Sequence, residues 1–140
     1  MGRESWHYVA HEREIPQLGD FKSLLLIREP VLVVRGEDGC VRVLFNTCRH
    51  RPVTVCHQAN GNTKRFVCSY HGWVYNTKGN LIGLSGSSQL DRSFSERRGL
   101  TPAPRVAIYR GFIFASLSPE GETLEEHFRK TQFPIDSEGN

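Results

Sequence analysis

Two short pairs of residues constrain this chain more than anything else in it: Cys48 with His50, and Cys68 with His71. The first pair is spaced C-x-H, the second C-x-x-H, and seventeen residues separate them. Each pair offers one sulfur and one imidazole nitrogen. In extended backbone the side chains of Cys48 and His50 lean the same way, whereas the step from Cys68 to His71 suits a tight turn. A fold that uses both pairs at once must present two short loops side by side. The residues between them, with Asn60-Gly61 as a turn signal, suffice for a connecting hairpin.

At 140 residues the chain has the length of one domain with its own core, taken here as residues 1–140. Hydrophobic content of 38% and charged content of 24% are those of a globular protein in water. The longest apolar run, Leu24 to Ile27, is far too short to span a bilayer. Arg3, Glu4, His7, His11 and Glu12 interrupt any signal-peptide core near Met1. The expected compartment is therefore the cytoplasm, with no membrane contact. A net charge of +3, without a basic stretch interleaved with aromatics, argues against nucleic-acid binding. The four cysteines would allow two disulfides, but in a cytosolic chain metal ligation is the expected use.

The remaining pattern is of short strands and turns, and no internal repeat is evident. Strands are expected at Trp6–Ala10, Phe21–Arg28 and Val31–Arg35, the last two parted by Glu29-Pro30. Glu37-Asp38-Gly39 should turn the chain into Cys40–Phe45, and Lys78-Gly79-Asn80 marks another turn. Arg65–Val67 and Trp73–Tyr75 flank the second ligand pair, and Val106–Tyr109 with Phe112–Leu117 read as a hairpin about Arg110-Gly111. Gly83 to Gly99 reads as a surface loop. One helix is expected near the C-terminus, where Thr123 and Glu126 form a capping-box pattern and Leu124 and Phe128 share a face. The fold class is all-β with one short helix.

Two sulfurs and two imidazoles, each pair from its own loop, are the ligands of a Rieske 2Fe–2S centre, in which two histidines replace two cysteines on one iron. Neutral imidazoles leave the cluster less negative, which raises its potential into a range of roughly −150 to +300 mV, against about −400 mV for all-cysteine plant-type clusters. Each histidine keeps one ring N–H whose acidity follows the charge of the iron, so electron and proton transfer are coupled. Gly72, directly after the second histidine, allows the backbone to approach the cluster closely.

Around these residues the chain resembles the N-terminal Rieske domain of the α subunit of bacterial aromatic ring-hydroxylating oxygenases. Asn46-Thr47-Cys48-Arg49-His50-Arg51 is similar to that family's first ligand loop, and Cys68-Ser69-Tyr70-His71-Gly72-Trp73-Val74-Tyr75 to its second. The likeness extends to Trp6–His11, Pro30–Gly36 and Tyr109–Phe114. It implies a fold of small antiparallel sheets, with a cluster-binding subdomain over about residues 45–84. It implies that Cys48 and Cys68 hold one iron and His50 and His71 the other, with Tyr70 and Trp73 packed around the cluster to limit water. Electrons would come from NAD(P)H through a flavin reductase, in some systems with a ferredoxin between, and would pass to the mononuclear iron of a catalytic domain.

Departures from related patterns sharpen this. Pro52 stands where the family commonly has Gly and removes a backbone N–H near the cluster. Respiratory-chain Rieske proteins carry an extra cysteine in each ligand loop, and those two pair as a disulfide. Here Val53 and Tyr70 stand at the corresponding positions, and Trp73 replaces a serine that donates to the cluster in those proteins. Fewer hydrogen bonds to sulfur place the expected potential toward the low end of the Rieske range. The chain ends at Asn140, before a catalytic mononuclear-iron domain, so the expectation for it alone is electron exchange without ring hydroxylation. A free-standing Rieske ferredoxin is the alternative, though such carriers are shorter. A structural zinc module is a third reading, against which each knuckle here mixes Cys with His.

The remaining histidines, cysteines and basic residues fit plainer roles. His7 and His11 are four apart but lie in strand pattern, so both read as surface or structural residues, and His57 and His127 as solvated ones. Cys40 and Cys56 read as free, packed thiols. Arg49 and Arg51 beside His50, with Lys64 and Arg65 before the second loop, form either a solvated face or an electropositive rim that steers an acidic ferredoxin or reductase to the cluster, or that docks the cluster tip on a neighbouring subunit's catalytic domain.

Overall fold

A computed structural model describes residues 5–48, 53–68, 72–83 and 98–131. Strand β1 spans His7–His11, and a single 3₁₀ turn follows at Glu12–Glu14. Then come β2 (Asp20–Leu26), β3 (Glu29–Arg35), β4 (Val41–Phe45), β5 (Asn60–Asn62), β6 (Arg65–Val67), β7 (Val74–Asn76), β8 (Leu81–Gly83), β9 (Arg105–Tyr109) and β10 (Phe112–Ser116). Helix α1 spans Leu124–Thr131. Three antiparallel sheets result, ordered β1-β10-β9, β4-β3-β2-β5 and β6-β7-β8. The described residues are all-β with one short α-helix, as the pattern implied.

The architecture follows from β3. Val31, Leu32, Val33 and Val34 are all fully buried, which a strand achieves only when both of its faces are covered. Val31 and Val33 join one core with Val9, Ala10, Ile113 and Ala115 of the β1-β10-β9 sheet. Leu32 and Val34 join a second core with Phe66, Tyr75, Leu81, Cys48 and Cys68. Val43 and Leu44 of β4 split between the two cores in the same way. The sheet containing β3 is thus a middle layer, and the cysteines lie on one side of it. Each fully buried Val or Leu contributes roughly 1.5–3 kcal/mol.

On the far side, α1 packs on the outer face of β1-β10-β9. Phe128 meets Phe114 and Tyr109 edge-on, both at 5.3 Å between ring centres, and Trp6 completes the cluster. The capping box is formed as expected: the Thr123 N–H donates to Glu126 Oε1 at 2.9 Å, and the Glu126 N–H donates to Thr123 Oγ1 at 3.1 Å.

Several expectations need correction. The turn between β2 and β3 is Ile27-Arg28, both at positive φ, and Leu26 pairs with Glu29. Two residues at positive φ match the strand twist of a tight hairpin, which outweighs the reluctance of Ile to adopt that backbone. Pro30 sits inside β3 without loss, because its carbonyl accepts from Asn46 N–H and so its nitrogen also faces the edge beyond the end of β4. Asn60-Gly61 is not a turn but part of β5, paired with β2. A Cβ at Gly61 would stand 3.1 Å from the Phe21 ring, so glycine here makes room for an aromatic. Strand β8 lacks a clear sequence signal. His127 is not solvated: it lies 2.9 Å from Glu122 and is half-buried. Cys40 is exposed in the turn before β4 rather than packed, whereas Cys56 does pack against the second core, and neither is in a disulfide. The Gly83–Gly99 stretch lies largely outside the described residues.

Candidate functional site

The first ligand loop leaves the end of β4. Thr47 and Thr54 form an isolated antiparallel bridge, and the Cys48 N–H donates to the Val53 carbonyl at 2.8 Å. The second loop joins β6 to β7, and there the Cys68 N–H donates to the Trp73 carbonyl, also at 2.8 Å. The two closures are equivalent: in each, the N–H of the cysteine bonds to the carbonyl five residues on. Gly72 lies at φ +75° and donates its N–H back to the Cys68 carbonyl at 2.8 Å. That left-handed corner is open to glycine at little cost, so Gly72 shapes the loop that holds its cysteine.

Asn46 locks the first loop at its base. It is buried, its Oδ1 accepts from the N–H groups of Val55 (3.2 Å) and Cys56 (2.9 Å), and its Nδ2 donates to the Cys56 carbonyl at 2.8 Å. One side chain thereby pins both strands that lead in and out of the loop.

Both cysteines face the same dry core. Cys48 is 4% exposed and Cys68 is 1% exposed, among Leu44, Val55, Phe66, Tyr75, Leu81 and Leu100, with Val53 and half-buried Trp73 at its margin. The Tyr75 hydroxyl lies 3.3 Å from Cys48 Sγ. A thiolate in so apolar a setting is stable only against a strong positive charge, which a metal centre supplies. The sulfur donors therefore fit an iron–sulfur cluster, whose cysteines ligate as thiolates.

Of the residues named from sequence, Cys48, Cys68, Gly72 and Trp73 meet at this core. His50 and His71, with Arg49, Arg51, Pro52 and Tyr70, lie outside the described residues. Lys64 and Arg65 are exposed. His11 is structural: its Nδ1 accepts the Arg13 N–H at 3.0 Å and caps the 3₁₀ turn. Two site residues escaped the sequence reading. Tyr75 stands out in the sequence only as part of the loop pattern, although a tyrosine on the inward side of the strand after the second loop needs a partner for its hydroxyl. Asn46 likewise gave no sign of its bracing role beyond standing two residues before Cys48.

Comparison with known proteins agrees with this geometry. The family profile of the Rieske [2Fe-2S] domain matches residues 5–95. The chain is 41% identical over 135 residues to the N,N-dimethyl phenylurea N-demethylase subunit alpha of Sphingobium sp. (strain YBL2), covering 95% of this chain and 29% of that protein. It is 37% identical over 132 residues to the biphenyl 2,3-dioxygenase subunit alpha of Rhodococcus jostii (strain RHA1), covering 94% and 29%. Among solved structures, naphthalene 1,2-dioxygenase from Rhodococcus sp. bound to indole superposes with a TM-score of 0.81 at 38% identity, over 93% of this chain and 30% of the other. The chain thus spans under a third of the length of each of these three proteins. No helix among the described residues is long and apolar enough to cross a membrane.

Proposed function

Since the chain belongs to the Rieske [2Fe–2S] domain family, we propose that it is the electron-carrying part of an oxygenase α subunit that acts on an aromatic substrate. Its cofactor is a Rieske-type 2Fe–2S cluster, which supplies one-electron exchange when bound. Cys48 and Cys68 would hold one iron and His50 and His71 the other, within a cluster-binding part spanning about residues 45–84. The chain's own residues do the rest. Asn46 and the paired backbone closures fix the two cysteines, Gly72 bends the second loop back on Cys68, and Tyr75 directs its hydroxyl at the Cys48 sulfur. Leu44, Val55, Phe66 and Leu81 keep water from both sulfurs. The electron donor would be a ferredoxin or a flavin reductase, the acceptor a catalytic mononuclear-iron domain, and the setting the cytoplasm.

The observation that carries this reading is the burial of Cys48 and Cys68 in one core, each at the head of a loop closed in the same way. Absorption and EPR spectra with iron and sulfide counts test it. Two irons and two sulfides with a Rieske spectrum are expected, and a colourless zinc-containing protein would end the proposal. His71→Ala should abolish the cluster while the β fold persists.

A further inference from the structure

Charge is distributed unevenly along this chain. From Gly39 to Leu90 there is no Asp or Glu, yet the same stretch holds Arg42, Arg49, Arg51, Lys64, Arg65 and Lys78. All fifteen acidic residues lie outside it. Several sit away from the ligand loops: Glu12 and Glu14 in the 3₁₀ turn, and Glu122, Glu125 and Glu126 at the start of α1. The acid-free stretch carries both ligand loops and the whole β6-β7-β8 sheet.

That sheet has two unlike faces. Phe66, Tyr75 and Leu81 turn into the second core. On the outward face Val67, 48% exposed, pairs with half-buried Val74, which pairs in turn with Gly83. Ile82, at the bulge of β8, is 40% exposed. One exposed valine is ordinary, but an apolar row across adjacent strands marks a contact surface. Beside it lies a depression of about 630 Å³ lined by Lys64, Arg65, Lys78 and Ile82, and also by Glu37 and Asp38. Asp38 is already engaged, with its two oxygens 3.0 and 2.9 Å from the guanidinium of Arg42. Lys64 and Arg65 are exposed and pair with no carboxylate among the described residues.

We propose that the outward face of β6-β7-β8 is the docking surface for an acidic redox protein that reduces this chain. The proposal rests on the electron-transfer reading above and adds where the donor binds and what charge it carries. An apolar centre with a basic rim suits a transient interface, in which charge steers the encounter and apolar contact holds it. The face is also well placed. Val67 is the residue before Cys68, Val74 the residue after Trp73, and the inward side of the same sheet carries Tyr75 against Cys48. A partner seated there lies one sheet thickness from the buried sulfurs. A second copy of this chain is disfavoured as occupant, because the face would meet its own positive charge.

The test uses the whole chain loaded with its cluster and, as probe, a reduced acidic plant-type [2Fe–2S] ferredoxin, with bleaching followed by stopped flow. Arg65→Glu and Val67→Glu should each slow the second-order rate about tenfold at low salt. The Arg65→Glu effect should vanish near about 0.5 M NaCl, where screening acts within a few ångströms. Arg129→Glu, on the exposed side of α1, should react like the unmodified chain, and dithionite, which needs no docking site, should reduce every variant to the same extent. The proposal is overturned if both face variants keep the unmodified rate, if Arg129→Glu is slowed equally, or if the ferredoxin fails to reduce a chain that dithionite reduces. A preparation without a Rieske spectrum that dithionite cannot reduce sinks the electron-transfer reading instead, and the docking surface with it.

Discussion

The Tyr75 hydroxyl lies 3.3 Å from the sulfur of Cys48, in a core where Tyr75 is fully buried and Cys48 nearly so. A hydrogen bond donated to a ligating sulfur favours the more negative, reduced state of a cluster. The sequence, judged by Val53, Tyr70 and Trp73 alone, implied few such bonds and a potential toward the low end of the Rieske range. Tyr75 supplies one that this expectation did not count. Tyr75→Phe should therefore lower the midpoint potential. A net bond of about 1 kcal/mol corresponds to about 40 mV for one electron. Voltammetry of both proteins measures this directly, and an unchanged or raised midpoint would remove Tyr75 from the tuning of the site.

Asn46 makes three side-chain hydrogen bonds to Val55 and Cys56 while buried. Substitution by Leu keeps the volume but leaves the half-buried Cys56 N–H and carbonyl without their partner, and leaves the buried Val55 N–H only its long bond to the Asn46 backbone carbonyl at 3.4 Å. With each bond worth about 1 kcal/mol and each buried orphan group costing about as much or more, Asn46→Leu should destabilise the fold by roughly 3 kcal/mol. The first ligand loop should loosen with it. Denaturant titration gives the stability, and the rate of iron loss to a chelator gives the loop effect. A variant within about 0.5 kcal/mol of the original chain would show that the brace is redundant.

How far the sequence could be read depended on the range of the physics involved. Val31 to Arg35 announced a strand, and Thr123 with Glu126 announced a helix start, because each signal is local. Arg110-Gly111 was equally clear as a hairpin turn. Ile27-Arg28 was not, since its backbone is imposed by the twist of the strands on either side. Asn60-Gly61 carried a turn signal that the Phe21 ring and pairing with β2 override. His127 looked solvated because its partner, Glu122, acts from outside the helix. At the site, residue type and spacing pointed to Cys48 and Cys68, whereas the contacts of Tyr75 and Asn46 depend on how β4, β7 and the two loops are stacked.

Gly72 offers a separate check on the second loop. At φ +75° an L-residue with a Cβ is strained by roughly 1–2 kcal/mol, and the turned-back N–H bonded to the Cys68 carbonyl depends on that backbone. Gly72→Ala should lower stability by about that amount and hasten cluster loss, while Gly39→Ala, in an open turn at φ +85°, should cost similar stability and leave the cluster untouched. Parallel chelation kinetics separate the two. Equal rates of cluster loss would deny Gly72 a role specific to the site.

Glu122 anchors the far end of the molecule. Its carboxylate accepts from Lys130 and lies 2.9 Å from His127, while its carbonyl accepts the Trp6 indole N–H at 2.9 Å and an Arg105 N–H at 2.8 Å. Lys130 first, and His127 second, hold the carboxyl below its ordinary range. A carboxylate whose folded pKa is depressed adds stability that is fully present above its unfolded value and is lost as pH falls through the lowered folded one. The chain should therefore lose stability on acidification below the ordinary glutamate range. Glu122→Gln, which keeps the shape and removes the titration, should be less stable than the original chain at neutral pH and should converge with it at the acid end. Thermal melts of both proteins between about pH 3 and pH 7 trace the two curves, and parallel curves would show that the carboxylate contributes nothing to the pH dependence.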